Sequence, residues 1–246
     1  MERENPLIKI NEERHCVDCG TALEMRAFDV MGETRKIPFH VCDCKNQYNY
    51  IEALKASGIP ERYIKKPLKD WITLPGSSQM VDTIKKYSNN LKENIQNYRG
   101  LILIGKTGTG KTKIISWLLK KIIKEIKCKC VFVSVPAISI RITSTPDDSE
   151  EIRNYMKKLI GAKILVLDDI GEGDTINIEF LSNIIEIREE NKKITFFTSK
   201  KNIDELKEVY RVNVLTKILS LSNNNIGISE SDIDMRNPIN KERYLK

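Results

Sequence analysis

Hydrophobic residues fall along this chain in short runs set between amphipathic stretches, and the alternation begins near residue 101. Four runs are almost wholly apolar: LILI at 101–104, VFVSV at 131–135, KILVLDD at 163–169 and ITFFTS at 194–199. Short, β-branched-rich apolar runs read as strands buried on both faces, the pattern of a parallel sheet. Between them, KTKIISWLLKKIIKEI at 111–126, SEEIRNYMKKLI at 149–160, IEFLSNIIEIREE at 178–190 and a stretch near 203–220 return apolar residues every three or four positions. That spacing predicts helices. The alternation as a whole predicts an α/β fold whose parallel sheet is covered by helices on both faces.

Upstream of the first run, QMVDTIKKYSNNLKENIQNY at 79–98 reads as a helix. IPERYIKKPLKDWITLPGSS at 59–78, with three prolines and no clear period, reads as a connector laid against the following domain. KNQYNYIEALKASG at 45–58 predicts a short helix ending at Gly58. Residues 1–57 are therefore expected to form a small separate module and residues 58–246 the main domain.

Composition narrows the setting. The 246 residues are 40% hydrophobic and 30% charged, and no apolar run approaches the roughly 20 residues of a membrane span. The charged N-terminus lacks the apolar block of a secretory signal, so a cytoplasmic protein with no membrane partner is expected. Of the net charge of +7, residues 1–57 contribute eight Lys/Arg against ten Asp/Glu, and the remainder 33 against 24. A basic main domain suits a phosphate-rich partner and equally suits a lysine-rich solvated surface.

The first strand runs into GKTGTGKT, which fits G-x-x-x-x-G-K-[ST] at Gly105, Gly110, Lys111 and Thr112. Strand, loop and helix in that order make a phosphate loop. Lys106, Thr107, Gly108 and Thr109 complete a cradle of backbone N–H groups around ATP, and the helix aims its positive end at the phosphates. Lys111 then reaches the β and γ phosphates, and the Thr112 hydroxyl holds Mg²⁺. The third strand ends in Asp168 and Asp169, 56 residues beyond Thr112. Asp168 is expected to hold Mg²⁺, and Asp169 to orient the attacking water or act as base.

Cys16 and Cys19 form C-x-x-C, and Cys42 and Cys44 form C-x-C, separated by enough chain for a hairpin around MGETRK. Four thiolates in a reducing compartment suit tetrahedral Zn²⁺, whose binding supplies folding energy that so small a segment lacks. His15 and His40 flank the pairs as alternates, and a redox pair or free thiols are the competing readings. Cys128 and Cys130 open a predicted strand and read as buried free thiols.

Taken in order, GIPERY at 58–63, GLILIGKTGTGKT at 100–112, ILVLDDIGE at 164–172, FFTSK at 196–200 and DMR at 234–236 resemble the AAA+ ATPases. Within them the likeness is to the DnaC/DnaI-type replicative helicase loaders and the related IstB-type transposition ATPases. The resemblance covers about residues 58–238 and implies a P-loop AAA+ domain with a short C-terminal lid, preceded by a zinc-binding N-terminal module that engages the helicase. It makes Asp168 and Asp169 the Walker B acids and Arg236 the sensor arginine at the γ-phosphate. It implies a DnaB-type replicative helicase as partner, single-stranded DNA bound along the inner face of an assembly formed on ATP or DNA, and Lys113, Lys192, Lys193, Lys200 and Lys201 as candidate contacts.

Two positions depart from the family. Lys200 stands where the family carries an asparagine that positions water, with Asn202 a substitute only if the register slips. Lys217 stands where the family supplies an arginine finger. Lysine lacks arginine's planar two-pronged contact, and an arginine finger is worth about 10³–10⁵ in turnover. The expectation is weak or partner-stimulated hydrolysis, ATP serving as a switch, with Arg211 or Arg188 as candidate replacements. The rival readings are an IstB-like partner of a transposase, a nucleotide-binding adaptor without chemistry, and a small-molecule kinase, which the sparse arginines after the loop disfavour.

Overall fold

The computed structural model describes residues 8–9, 14–15, 22–23, 25–30, 33–38, 43–65, 73–145, 150–172 and 175–244. Contacts divide the chain into two compact units, Met1–Ala53 and Leu54–Lys246. The first holds β1 (Ile8–Lys9), β2 (Arg14–His15), β3 (Ala22–Leu23), β4 (Met25–Val30), β5 (Glu33–Pro38) and most of α1 (Asp43–Ala56). Among its described residues the pairings are antiparallel: β1 with β4, β4 with β5, and β2 with β3. The hairpin expected around MGETRK is the β4–β5 pair, with Val30 opposite Glu33.

The second unit begins with α2 (Glu61–Ile64), α3 (Ser78–Asn89) and α4 (Leu91–Gln96). It continues through β6 (Leu101–Gly105), α5 (Lys111–Ile126), β7 (Cys130–Ser134), α6 (Val135–Ser144), α7 (Glu150–Gly161) and β8 (Ile164–Ile170). The chain then forms α8 (Thr175–Glu190), β9 (Ile194–Ser199), α9 (Ile203–Val209), α10 (Val212–Ser222), β10 (Ile226–Ser229) and α11 (Pro238–Tyr244).

The sheet order is β10-β6-β9-β8-β7, and every pairing is parallel. From β6 the chain crosses to the far edge at β7, returns through β8 and β9, and passes to the other side at β10. The strand order reverses at β6, so the C-terminal ends of β6 and its neighbours open the crevice where such sheets bind ligands.

Alternate strand residues serve opposite layers. Ile102, Ile104, Leu165, Leu167 and Phe197 join one core with Ile138 of α6, Ile184 of α8 and Ile218 of α10. Their neighbours Leu101, Leu103 and Phe196 are equally buried on the face of α3 and α5, where the Tyr87 ring stands edge-on to Phe196 with centroids 5.5 Å apart. At the outer strand, Phe132 N–H donates to Ser57 O at 2.6 Å, and Gly58 lies so close that an added Cβ would stand 2.6 Å from Phe132 O.

Among the differences from the sequence expectation, three bear on the sheet and the helices that flank it. The run 131–135 gives up Val135, which starts α6, because the Ser134 hydroxyl accepts from Ala137 N–H and Pro136 fits the first turn. The helix expected over 79–98 breaks at Asn90, whose side chain and backbone N–H both donate to Lys86 O. The strand β10, only four residues long, completes the sheet beside β6.

Candidate nucleotide-binding site

The loop after β6 is shaped by its glycines. Gly108 and Gly110 adopt φ of 80° and 91°, a region that side-chain-bearing residues rarely enter. The backbone N–H groups of Thr107, Gly108, Gly110, Lys111 and Thr112 donate to no other protein group among the described residues. Five convergent donors at the start of a 16-residue helix form a cradle that suits phosphate oxygens.

Lys111 is buried, and its ammonium curls back to donate to Gly105 O at 2.5 Å and Lys106 O at 2.9 Å. Burial lowers its pKa to about 8, against the opposing pull of Asp169 and Asp168. Thr109 Oγ1 donates to Lys106 O at 2.8 Å and fixes the loop from within. Thr112 Oγ1 lies 3.1 and 3.2 Å from the two oxygens of Asp168, the hydroxyl-plus-carboxylate set that holds Mg²⁺ in phosphate-loop proteins.

Two adjacent acids on a regular strand face opposite ways, yet both carboxylates here act on Lys111. A register irregularity between Leu167 and Ile170 explains it. Asp169 takes φ 60°, a strained conformation for a non-glycine residue. Thr198 holds it there: its Oγ1 accepts from Asp169 N–H at 2.9 Å while donating to Asp168 Oδ1 at 2.6 Å. Burial raises the Asp168 pKa, and the Thr198 and Thr112 hydroxyls oppose that rise. Sequence reasoning missed Thr198, although the buried hydroxyls at the end of ITFFTS were a visible signal.

Lys200 follows directly, its ammonium 3.8 Å from Asp169 Oδ2 and 4.0 Å from Glu172 Oε1. Asn202 is occupied elsewhere, as the N-cap of α9 in a reciprocal capping box with Glu205. The turn after the acids is tied down by Gly171 N–H donating to the Tyr210 hydroxyl at 3.1 Å.

The segment 230–237 lies across the loop. Lys106 pairs with Asp232, Met235 N–H donates to Gly108 O at 3.3 Å, and any side chain on Gly108 would collide with Asp234. Asp234 in turn binds Arg236, with 2.7 Å between the guanidinium and the carboxylate. The Asp234 pKa is lowered by its hydrogen bond from Arg236. Arg236 thus stands beside the cradle with its charge already engaged.

A family model described as IstB-like ATP binding protein matches residues 80–220, more than half of the chain. The chain belongs to that family. The fold of this IstB-like protein matches the crystal structure of the DnaC helicase loader at 24% identity and TM-score 0.61, over 70% of this chain and 100% of that one. It matches DnaI at 18% and 0.59, over 70% and 94%. DnaA from Aquifex aeolicus bound to AMPPCP gives 17% and 0.57, over 76% and 56%. The uncharacterized protein YqaM of Bacillus subtilis is 22% identical over 180 residues, 68% of this chain and 56% of its own length, so the chain spans about half of that curated relative.

The remaining candidates of this IstB-like protein scatter. Lys217 is tied to Glu186 at 3.1 Å. Arg188 cannot act as a replacement finger: it is fully buried, donating to Thr195 Oγ1 and to the carbonyls of Leu159, Ile160, Ala162 and Ile194. Arg211 is exposed at the N-cap of α10. Lys113 lies in the first turn of α5, Lys200 and Lys201 follow β9, and Lys192 and Lys193 precede it, at the opposite end of the strand. Cys16, Cys19, Cys42 and His40 lie outside the described residues, and Cys44 is described only as part of the α1 backbone. Among the described residues no helix is long and apolar enough to cross a membrane.

Proposed function

We propose that this protein is an ATP-dependent loader that delivers a DnaB-type replicative helicase onto single-stranded DNA, with nucleotide acting as a switch and hydrolysis weak or partner-stimulated. The observation that carries the switch is that the candidate cations are already engaged by carboxylates of this chain. Lys200 is held by Asp169 and Glu172, Lys217 by Glu186, and Arg236 by Asp234. Lys111, Thr112 and Asp168 equip the site to grip ATP and Mg²⁺, while charge stabilisation of the transition state awaits a group from a neighbouring subunit or partner. In this reading Asp169 orients the attacking water, and its carboxylate lies 3.8 Å from the Lys200 ammonium.

The loader reading is supported by the fold shared with the DnaC helicase loader and DnaI. In this reading residues 1–57 form the helicase-binding module and residues 58–246 the ATP-binding domain with its short C-terminal lid. Cys16, Cys19, Cys42 and Cys44 hold Zn²⁺; the first pair falls in sequence between the paired strands β2 and β3. Self-association on ATP or DNA brings copies together in the cytoplasm. The family match also supports a second reading, an IstB-like ATPase partner of a transposase.

Affinity capture from host extract, with and without ATP and with Lys111→Ala, separates the two. ATP-dependent recovery of the replicative helicase, lost when residues 1–57 are removed, is expected. Recovery of a transposase in its place assigns the second reading. Turnover of tens per second by the protein alone would refute the switch.

A further inference from the structure

We propose that Cys128 and Cys130 form a redox-active thiol pair at the mouth of β7, oxidised by peroxide to a reversible intramolecular disulfide. The two sulfurs stand 3.8 Å apart, on residues separated by one lysine. The sequence reading of two buried free thiols holds for Cys130, whereas Cys128 is half-exposed. The pair therefore combines an accessible sulfur with a shielded one. Lys127, Lys129 and Lys163 are all exposed and surround Cys128 in sequence and space: the first two are close neighbours in the chain, and Lys163 N–H donates to Lys129 O at 3.1 Å.

That surrounding favours a thiolate. The Cys128 pKa is lowered to about 7, first by the hydrogen bond from Cys130 and also by the Lys163 charge, against the opposing effect of burial. The Cys130 pKa is raised, by the same hydrogen bond and by burial. The Cys130 thiol also points at Cys128 O, 3.4 Å away. One sulfur is thus set up to attack and the other to resolve.

The chemistry balances in two steps. Cys128 S⁻ attacks one oxygen of hydrogen peroxide, the O–O bond breaks, hydroxide leaves and Cys128 becomes the sulfenic acid. Cys130 S–H then displaces that hydroxyl, its proton leaves with it as water, and the S–S bond forms. Two electrons pass from the thiols to the peroxide, and the hydroxide takes up the proton that Cys128 gave up on ionising, so two waters are produced overall. Closing the bond requires the sulfurs to move from 3.8 Å to about 2 Å apart. A disulfide closed over so short a loop is readily reduced again by cytosolic thiols.

Cleavage after glutamate releases residues 126–150, in which Cys128 and Cys130 are the two cysteines, so mass spectrometry reads the pair free of the N-terminal thiols. The full-length protein is treated with hydrogen peroxide, capped with maleimide and digested. The expected fragment has lost two hydrogens, takes no maleimide, and regains two capping sites after dithiothreitol. Cys130→Ser with dimedone present yields an adduct at Cys128, and Cys128→Ser yields neither product. In the folded protein Cys128 alkylates at pH 7 roughly fivefold faster than in denaturant, and Cys130 does not. A fragment that keeps two capped thiols, or one that passes to higher oxides of Cys128 without the internal bond, overturns the proposal.

Discussion

Two buried cations sit at opposite ends of the same sheet, and they have opposite uses. Lys111 lies beyond the C-terminal end of β6, Arg188 beside the start of β9. Both are wrapped in carbonyl oxygens and both have lowered pKa values caused by burial, to about 8 and about 9. Every guanidinium nitrogen of Arg188 is engaged, by carbonyls at the end of α7 and beyond it and by the first residues of β9. The carbonyls of Leu159, Ile160 and Ala162 are of the kind a helix end leaves without partners, so the side chain closes α7 onto the sheet. The ammonium of Lys111 rests on loop carbonyls that it can leave, beside five unpaired N–H groups. A saturated buried cation is a structural part; an unsaturated one beside free donors is half of a binding site.

Substitution at Arg188 should break the comparison most violently. Arg188→Met strands several buried carbonyls and is expected to cost about 3–5 kcal/mol in urea unfolding. The fraction that remains folded should bind ATP as before; a matching loss of affinity would place Arg188 in the site after all. Lys111→Ala should do the reverse. Nucleotide affinity measured by calorimetry is expected to fall about 100-fold, the value of two charge-assisted hydrogen bonds, with the unfolding midpoint unchanged or slightly raised because a desolvated charge is gone.

Acidity sharpens the contrast further. The free site loses the Lys111 proton as pH rises through about 8, whereas phosphate binding requires the charged form. Affinity should therefore hold between pH 6.5 and 7.5 and drop about tenfold by pH 9, with proton uptake on binding visible as a buffer-dependent heat. Between pH 8 and the unfolded value near 10.5, the same depression makes the folded state relatively more stable as pH rises. The smallest effect is expected from Asp234→Asn. Removing the charge that occupies Arg236, in a side chain of unchanged size, should tighten ATP binding by about threefold; weaker binding would mean that Asp234 helps to shape the loop.

Much of this was legible along the chain. LILI and KILVLDD announced strands because doubly covered strands leave no room for polar residues, and GKTGTGKT announced a phosphate loop because its glycines answer a backbone requirement. Other features were hidden for physical reasons. PAISIRITS is rich in β-branched residues and follows a strand without a gap, so α6 was masked by its own composition. IGIS is too short for a period to show. The twist that brings Asp168 and Asp169 to the same side depends on Thr198, 30 residues away. That Lys200 follows ITFFTS directly is a fact of sequence; that it leans on Asp169 is a fact of folding. The same holds for Asp232 and Asp234, which meet the loop only because β10 returns beside β6.

The bond from Phe132 to Ser57 O has one more consequence. An outermost strand offers an unpaired ladder on which a second chain can add a strand, the common start of aggregation. Residues 57 and 58 lie against that ladder at β7, with Gly58 allowing an approach no side chain would permit. Growth of the sheet is blocked there by the chain's own backbone. A second copy cannot add its strand at that edge without first displacing residues 57 and 58.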